Sequence, residues 1–143
     1  MPTVNVTEWT QFLSDHSDAH LLQDGRWGDL KANFGWQPVR IISGTAGAQL
    51  LIRRLPLGLK MAYIPKGPVG HNINALIGEI DQFSRDNAIA FLKVEADENG
   101  NEPATDQNGT FRPGVQTIQP RRSIVIDLRE DPDAILSHMK QKT

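Results

Sequence analysis

Apolar residues recur at helical spacing near the start of the chain. Trp9, Phe12 and Leu13 stand at i, i+3 and i+4, which predicts a short helix with Thr7 as its cap and one face turned to the rest of the fold. After the polar run SDHSDAH, the segment DGRWGDLKANFGW (24–36) places Trp27, Leu30 and Phe34 on a second helical stripe. Gly35 follows where a left-handed C-terminal cap is wanted, and Lys31 flanks the stripe. The period then changes. PVRIISG (38–44) and AQLLIRRLP (48–56) are β-rich runs joined by the turn-prone GTAG, the pattern of an antiparallel hairpin, and KMAYIP (60–65) adds a third strand. Three strands before any long helix predict an antiparallel meander.

NALIGEIDQFSRDN (74–87) returns to helical spacing, opened by Asn74, with Leu76, Ile77, Ile80 and Phe83 on one face. AIAFLKVEA (88–96) is apolar for most of its length, as expected of a central strand buried on both sides. DENGNEPATDQN (97–108) is turn-rich and acidic and predicts a surface loop, and SIVIDL (123–128) another strand. In REDPDAILSHMKQKT (129–143), Asp131 is the expected N-cap, Pro132 the first helical residue, and Ile135, Leu136 and Met139 one apolar side. No terminator follows, so this helix is expected either to continue in a longer parent chain or to fray. The order predicts an α+β domain with a mainly antiparallel mixed sheet flanked by helices. GNAT-like folds, of the acyl-CoA N-acyltransferase type, are built this way, as are others.

Composition narrows the options. With 143 residues, 38% hydrophobic and 22% charged, one globular domain is expected, burying about 68% of its unfolded surface. Fifteen Lys+Arg against 17 Asp+Glu give a net charge of -2, which excludes a globally basic footprint for nucleic acid. The absence of cysteine removes disulfides, a thiol nucleophile and Cys-based zinc. The four histidines lack HExxH spacing and read as incidental polar residues, so no metal site is expected. There is no signal-peptide pattern and no 18-residue apolar run, so the expectation is a cytoplasmic chain without a transmembrane segment.

Candidate chemistry is sparse. GxSxG, a P-loop and GxGxxG are all missing, and GTAG is a turn. YIPKGPVG (63–70) holds two prolines and two glycines after a strand, an irregular backbone whose N–H groups and Lys66 suit a carboxylate or phosphate. The plainer reading of the same residues is a rigid strand-to-helix connection with a solvated lysine. Glu95 and Asp97 follow FLKV, where a strand end can place a general base; they also simply begin the acidic loop. Lys31 between Trp27 and Trp36 can offer a cation with aromatic walls, or the tryptophans are core and the lysine is surface. Arg121 and Arg122 suit a phosphate or an exposed strand edge.

Taken in order, HLLQDGRWGDLKANFGW, RRLPLGLKMAYIPKGPV, AFLKVEAD, QTIQPRRSIVIDL and ILSHMKQKT resemble the N-terminal part of the FemABX family, the peptidyltransferases that build peptidoglycan cross-bridges. The resemblance implies one of two tandem GNAT-like domains. It implies transfer of an amino acid from aminoacyl-tRNA, as co-substrate rather than cofactor, to the stem peptide of a UDP-linked or lipid-linked muropeptide. It assigns Lys31, in WGDLK, to the precursor's phosphates with Trp36 beside it as a substrate-binding residue, Tyr63, Lys66 and Gly67 to the acceptor site, and Glu95 or Asp97 to orienting the acceptor amine. It also implies a further domain, without which this chain is incomplete as an enzyme, and leaves open peripheral membrane association and a dimer through the last helix. Two alternatives remain: a stand-alone N-acetyltransferase using acetyl-CoA, whose Q/R-x-x-G-x-G/A loop is not found, and a non-catalytic interaction module.

Overall fold

The structure, a computed structural model, describes residues 3–97, 111–114, 116–120 and 126–139. The elements are β1 (Thr3–Val4), α1 (Val6–Ser14), α2 (Gly25–Ala32), β2 (Gln37–Ser43), β3 (Ala46–Arg54), β4 (Lys60–Pro65), β5 (Val69–Gly70), α3 (Ile73–Asp86), β6 (Ile89–Glu95) and α4 (Pro132–His138), with 3-10 turns at Leu21–Gln23 and Pro56–Gly58. The strands form one sheet in the order β1-β2-β3-β4-β6, with β5 on β3. All pairings are antiparallel except β4 with β6, which is parallel and is bridged by α3. The expected α+β mixed sheet and the β2-β3-β4 meander are therefore present. The hairpin closes in two residues, Gly44 and Thr45, between the paired Ser43 and Ala46; Gly44 has φ +59, as a primed turn requires.

Residues paired across a sheet share a face, and the side chain alternates along each strand. One face carries Ile41, Ala46, Ala48, Leu50, Ile52, Ala62 and Ile64, and Leu76, Ile80 and Phe83 of α3 close over it as the hydrophobic core. The other carries Arg40, Gln49, Arg53, Tyr63, Lys93 and Glu95 by register, and α2 packs on this side. Its polar groups are satisfied in a chain. The buried Gln23 donates Nε2–H to the Pro65 carbonyl (2.7 Å) and accepts the Gln49 N–H (2.7 Å). Gln49 donates to the Asp24 carbonyl and accepts from Arg40 Nε, and Arg40 reaches the Gly25 carbonyl and Asp29, each at 2.9 Å. Trp9, fully buried, donates its indole N–H to the Gln23 carbonyl at 2.8 Å.

Several expectations change. Asn5, not Thr7, caps α1, in a reciprocal box with Glu8; an asparagine two residues earlier satisfies both orphan N–H groups, leaving Thr7 inside the first turn. Helix α2 ends at Ala32, so Trp27, Leu30 and Phe34 do not form a packed stripe. Leu30 and Phe34 are exposed, and the buried side is Gly25 and Gly28, which let the helix approach Arg40 and Gln49. Asn72 precedes α3, which starts at Ile73 rather than Asn74. Strand β6 has only β4 beside it among the described residues, and Phe91 is half exposed; an apolar run overstates burial when one flank is open. Residues 98–110, most of the expected acidic loop, and 121–125, the first half of SIVIDL together with Arg121 and Arg122, lie outside the described residues. Ile126, Asp127 and Leu128 are not in a strand. Asp131 and Pro132 open α4 as expected, and Met139 is its C-cap, with Leu136 and Met139 exposed.

Candidate functional site

The polar face of the sheet gathers the candidate side chains in two clusters. The first forms where α2 meets the β2 and β3 ends. Helix geometry sets Lys31 four residues after Trp27, and the chain then turns through Gly35, at φ +79, to bring Trp36 back beneath it. The Lys31 ammonium lies 5.5 Å from the Trp27 ring centre and 5.7 Å from that of Trp36. Arg53 stacks on Trp36 from the neighbouring strand at 5.3 Å. Two cations thus share one aromatic platform, each held by ring electrostatics and, among the described residues, without a carboxylate partner.

The second cluster caps the C-terminal ends of the parallel strands β4 and β6, where ligands of parallel pairs characteristically sit. Two cross-links tie those ends. Tyr63 donates its hydroxyl to Glu95 Oε2 at 2.6 Å, and Lys66 lies 3.8 Å from Asp97 Oδ1, both side chains nearly buried. Glu95 is crowded with donors. Its Oε1 accepts the Ile118 N–H (2.5 Å), its Oε2 accepts the Gln119 N–H (3.0 Å), and Lys93 stands 3.5 Å away. Lys93 also donates to the Gln116 carbonyl. Burial pushes the Glu95 carboxyl up, but Tyr63, the two N–H groups and Lys93 outweigh it and hold the group below its ordinary value. Burial, and then the Glu95 carboxylate, push the Tyr63 phenol well above its ordinary range. Asp97 differs. Its Oδ1 is buried and accepts no hydrogen bond among the described residues, since 3.8 Å is an ion-pair distance and too long for one.

The structure therefore brings Lys31 and Trp36 together, and Tyr63, Lys66, Glu95 and Asp97 together, on one side of the sheet. Gly67 is placed differently. It is buried, and a Cβ there would lie 2.8 Å from the Gln23 carboxamide, so its role is to let that side chain pass. Lys66 itself has φ +50, and the Gly67–Pro68 bond is cis. The sequence reading did not single out Arg53, Lys93 or the Gln23–Gln49–Arg40 chain. Arg53 was detectable: continuing the hairpin register one step past Gln37–Ile52 sets it opposite Trp36. Nor were all histidines incidental, because His20 Nδ1 accepts the Leu22 N–H at 3.1 Å and caps the 3-10 turn. A groove of about 1050 Å³ along the outer edge of β6, between α3 and residues 111–114, contains none of the predicted site residues.

Crystal structures similar to this chain include that of FemX, 30% identical, covering 59% of this chain and 23% of its own, with a TM-score of 0.49. Two acetyltransferases have the same TM-score. One from Trypanosoma brucei is 15% identical over 88% of this chain and 96% of its own, and a ribosomal-protein-alanine N-acetyltransferase from Brucella melitensis is 11% identical over 87% and 96%. The chain thus spans about a quarter of FemX. No curated protein sequence matches it. Residues 4–110, taking in α1 through β6 and every predicted site residue, match the FemAB family, and the chain belongs to that family.

Proposed function

We propose that this chain is the precursor-binding domain of a tRNA-dependent aminoacyltransferase acting on peptidoglycan. Family membership supports the reaction class, and one observation carries the binding role: the Lys31 and Arg53 cations stand on the Trp27 and Trp36 platform, with no carboxylate partner among the described residues. Such a surface suits a diphosphate-linked ligand, with the charges on the phosphates and the rings beside the sugar or base.

In the reaction, an acceptor amine loses a proton and attacks the aminoacyl ester. The new C–N bond forms, the C–O bond to the tRNA ribose breaks, and the released hydroxyl takes a proton. The two carboxylates have different roles in this reading. Glu95, with its lone pairs engaged and its proton affinity lowered, is a positioning residue that orders residues 116–119 beside Tyr63. Asp97, held in an ion pair with Lys66 at the end of β6, is the carboxylate that orients the amine. In this reading a further domain supplies the rest of the active site.

Binding is the decisive measurement. A UDP-linked muropeptide titrated calorimetrically should bind this chain, more weakly as salt rises, and Lys31→Ala should lower affinity about tenfold, the loss of one charged contact. Equal affinities for wild type and Lys31→Ala would remove the platform's role. Micromolar binding of acetyl-CoA with none of the muropeptide would favour the N-acetyltransferase reading.

A further inference from the structure

Residues 30–78 contain six cationic side chains, Lys31, Arg40, Arg53, Arg54, Lys60 and Lys66, and no aspartate or glutamate, in a chain whose net charge is -2. The fold concentrates three of them at one end of the sheet. Arg53 and Arg54 close β3, Lys60 opens β4, and between them the turn Leu55-Pro56-Leu57-Gly58-Leu59 projects. This turn is a built feature: the Leu55 N–H donates to the Leu59 carbonyl at 2.8 Å and closes the loop. At its tip Leu57 is 97% exposed and holds φ 64, ψ 21, and Leu59 is 49% exposed. A left-handed tip suits glycine or asparagine, and a leucine there contributes nothing to the core. The contact of Arg53 with Trp36 brings the α2–β2 turn, with Phe34 65% exposed, to the same end. Asp86, bonded to Gln82, is an acidic group at this end, next to Asn87, whose carbonyl accepts from Lys60.

We propose that this end of the sheet docks on an anionic lipid surface. Leu57 and Leu59 enter the boundary between headgroups and acyl chains, while Arg53, Arg54 and Lys60 lie at the level of the phosphates. No helix among the described residues is long and apolar enough to cross a membrane, so the contact is shallow. Charge selects this occupant. A two-fold contact with a second copy sets the same three cations against themselves, whereas a lipid surface with a net negative charge complements all of them. The inference stands on the turn and its charges; it shares only Arg53 with the proposed precursor platform, and its test varies Leu57, which that platform does not use.

Flotation of this chain with vesicles tests it, comparing phosphatidylcholine alone with phosphatidylcholine containing about 30% phosphatidylglycerol. The chain is expected to bind the anionic vesicles only, less tightly as salt rises. Leu57→Ser is expected to lower partitioning about tenfold and Leu57→Phe to retain it, with unchanged circular dichroism because the side chain packs on nothing. Four outcomes each overturn the proposal: no binding to anionic vesicles, equal binding by Leu57→Ser, full displacement by millimolar glycerol phosphate, or a Leu57-dependent dimer without vesicle binding.

Discussion

Tyr63 is the chain's single tyrosine, so its titration can be followed by absorbance without ambiguity. With its phenol raised by burial and by Glu95, the folded protein should show no tyrosinate through the ordinary range around pH 10. Glu95→Gln should bring ionisation to lower pH while leaving it above that range, because burial, the larger cause, remains. A wild-type phenol ionising normally would show that the contact is absent in solution. Glu95 itself is depressed below its ordinary 4.5. Its stabilising contribution is therefore complete above that value and is lost as pH falls through the folded-state pKa. Urea melts should show wild type more stable than Glu95→Gln at pH 7, with the gap narrowing below pH 4.5. Both residues were visible singly in the sequence. Their contact was not, because it depends on β4 and β6 lying side by side in parallel, a pairing between strands separated by α3.

At the level of elements, two glycines in helices give opposite predictions. In α2 a Cβ on Gly28 would lie 2.3 Å from Gln49 Oε1 and 3.0 Å from Arg40 Nη2. Gln49 is fully buried and bonded at both ends of its amide, so it cannot move aside, and Gly28→Ala should cost about 2 kcal/mol in urea melts. In α3 nothing lies within 4 Å of a Cβ on Gly78, which is exposed, and Gly78→Ala should add about 1 kcal/mol by helix propensity. This contrast also shows what sequence could reveal. Helix α3 and the β2–β3 hairpin were legible because one apolar face and a glycine turn determine them locally. Helix α2 was misread because its buried face is made of glycines, which carry no hydrophobic signal, while Leu30 and Phe34 carry that signal outward. Strand β5 is two residues held by pairing with β3, so no local pattern announced it.

For the whole molecule, the apolar core and the two candidate clusters lie on opposite faces of the sheet, which was legible only once register fixed which residues share a side. The core face is apolar and covered by α3; the opposite face carries both candidate clusters. Substitutions on the two faces should therefore dissociate. Ile80, 2% exposed in the core, should lose about 3 kcal/mol on truncation to alanine, and the fraction still folded should bind a UDP-linked muropeptide with wild-type affinity. Lys31→Ala removes a cation resting on two rings at the surface, so its stability cost should stay within about 1 kcal/mol, while affinity falls about tenfold. Urea melts and calorimetry on the same two variants measure both quantities. If Ile80→Ala weakened binding in the folded fraction as much as Lys31→Ala does, the ligand would be sensing the packing of α3 through the sheet. The polar face could then not be the recognition surface on its own.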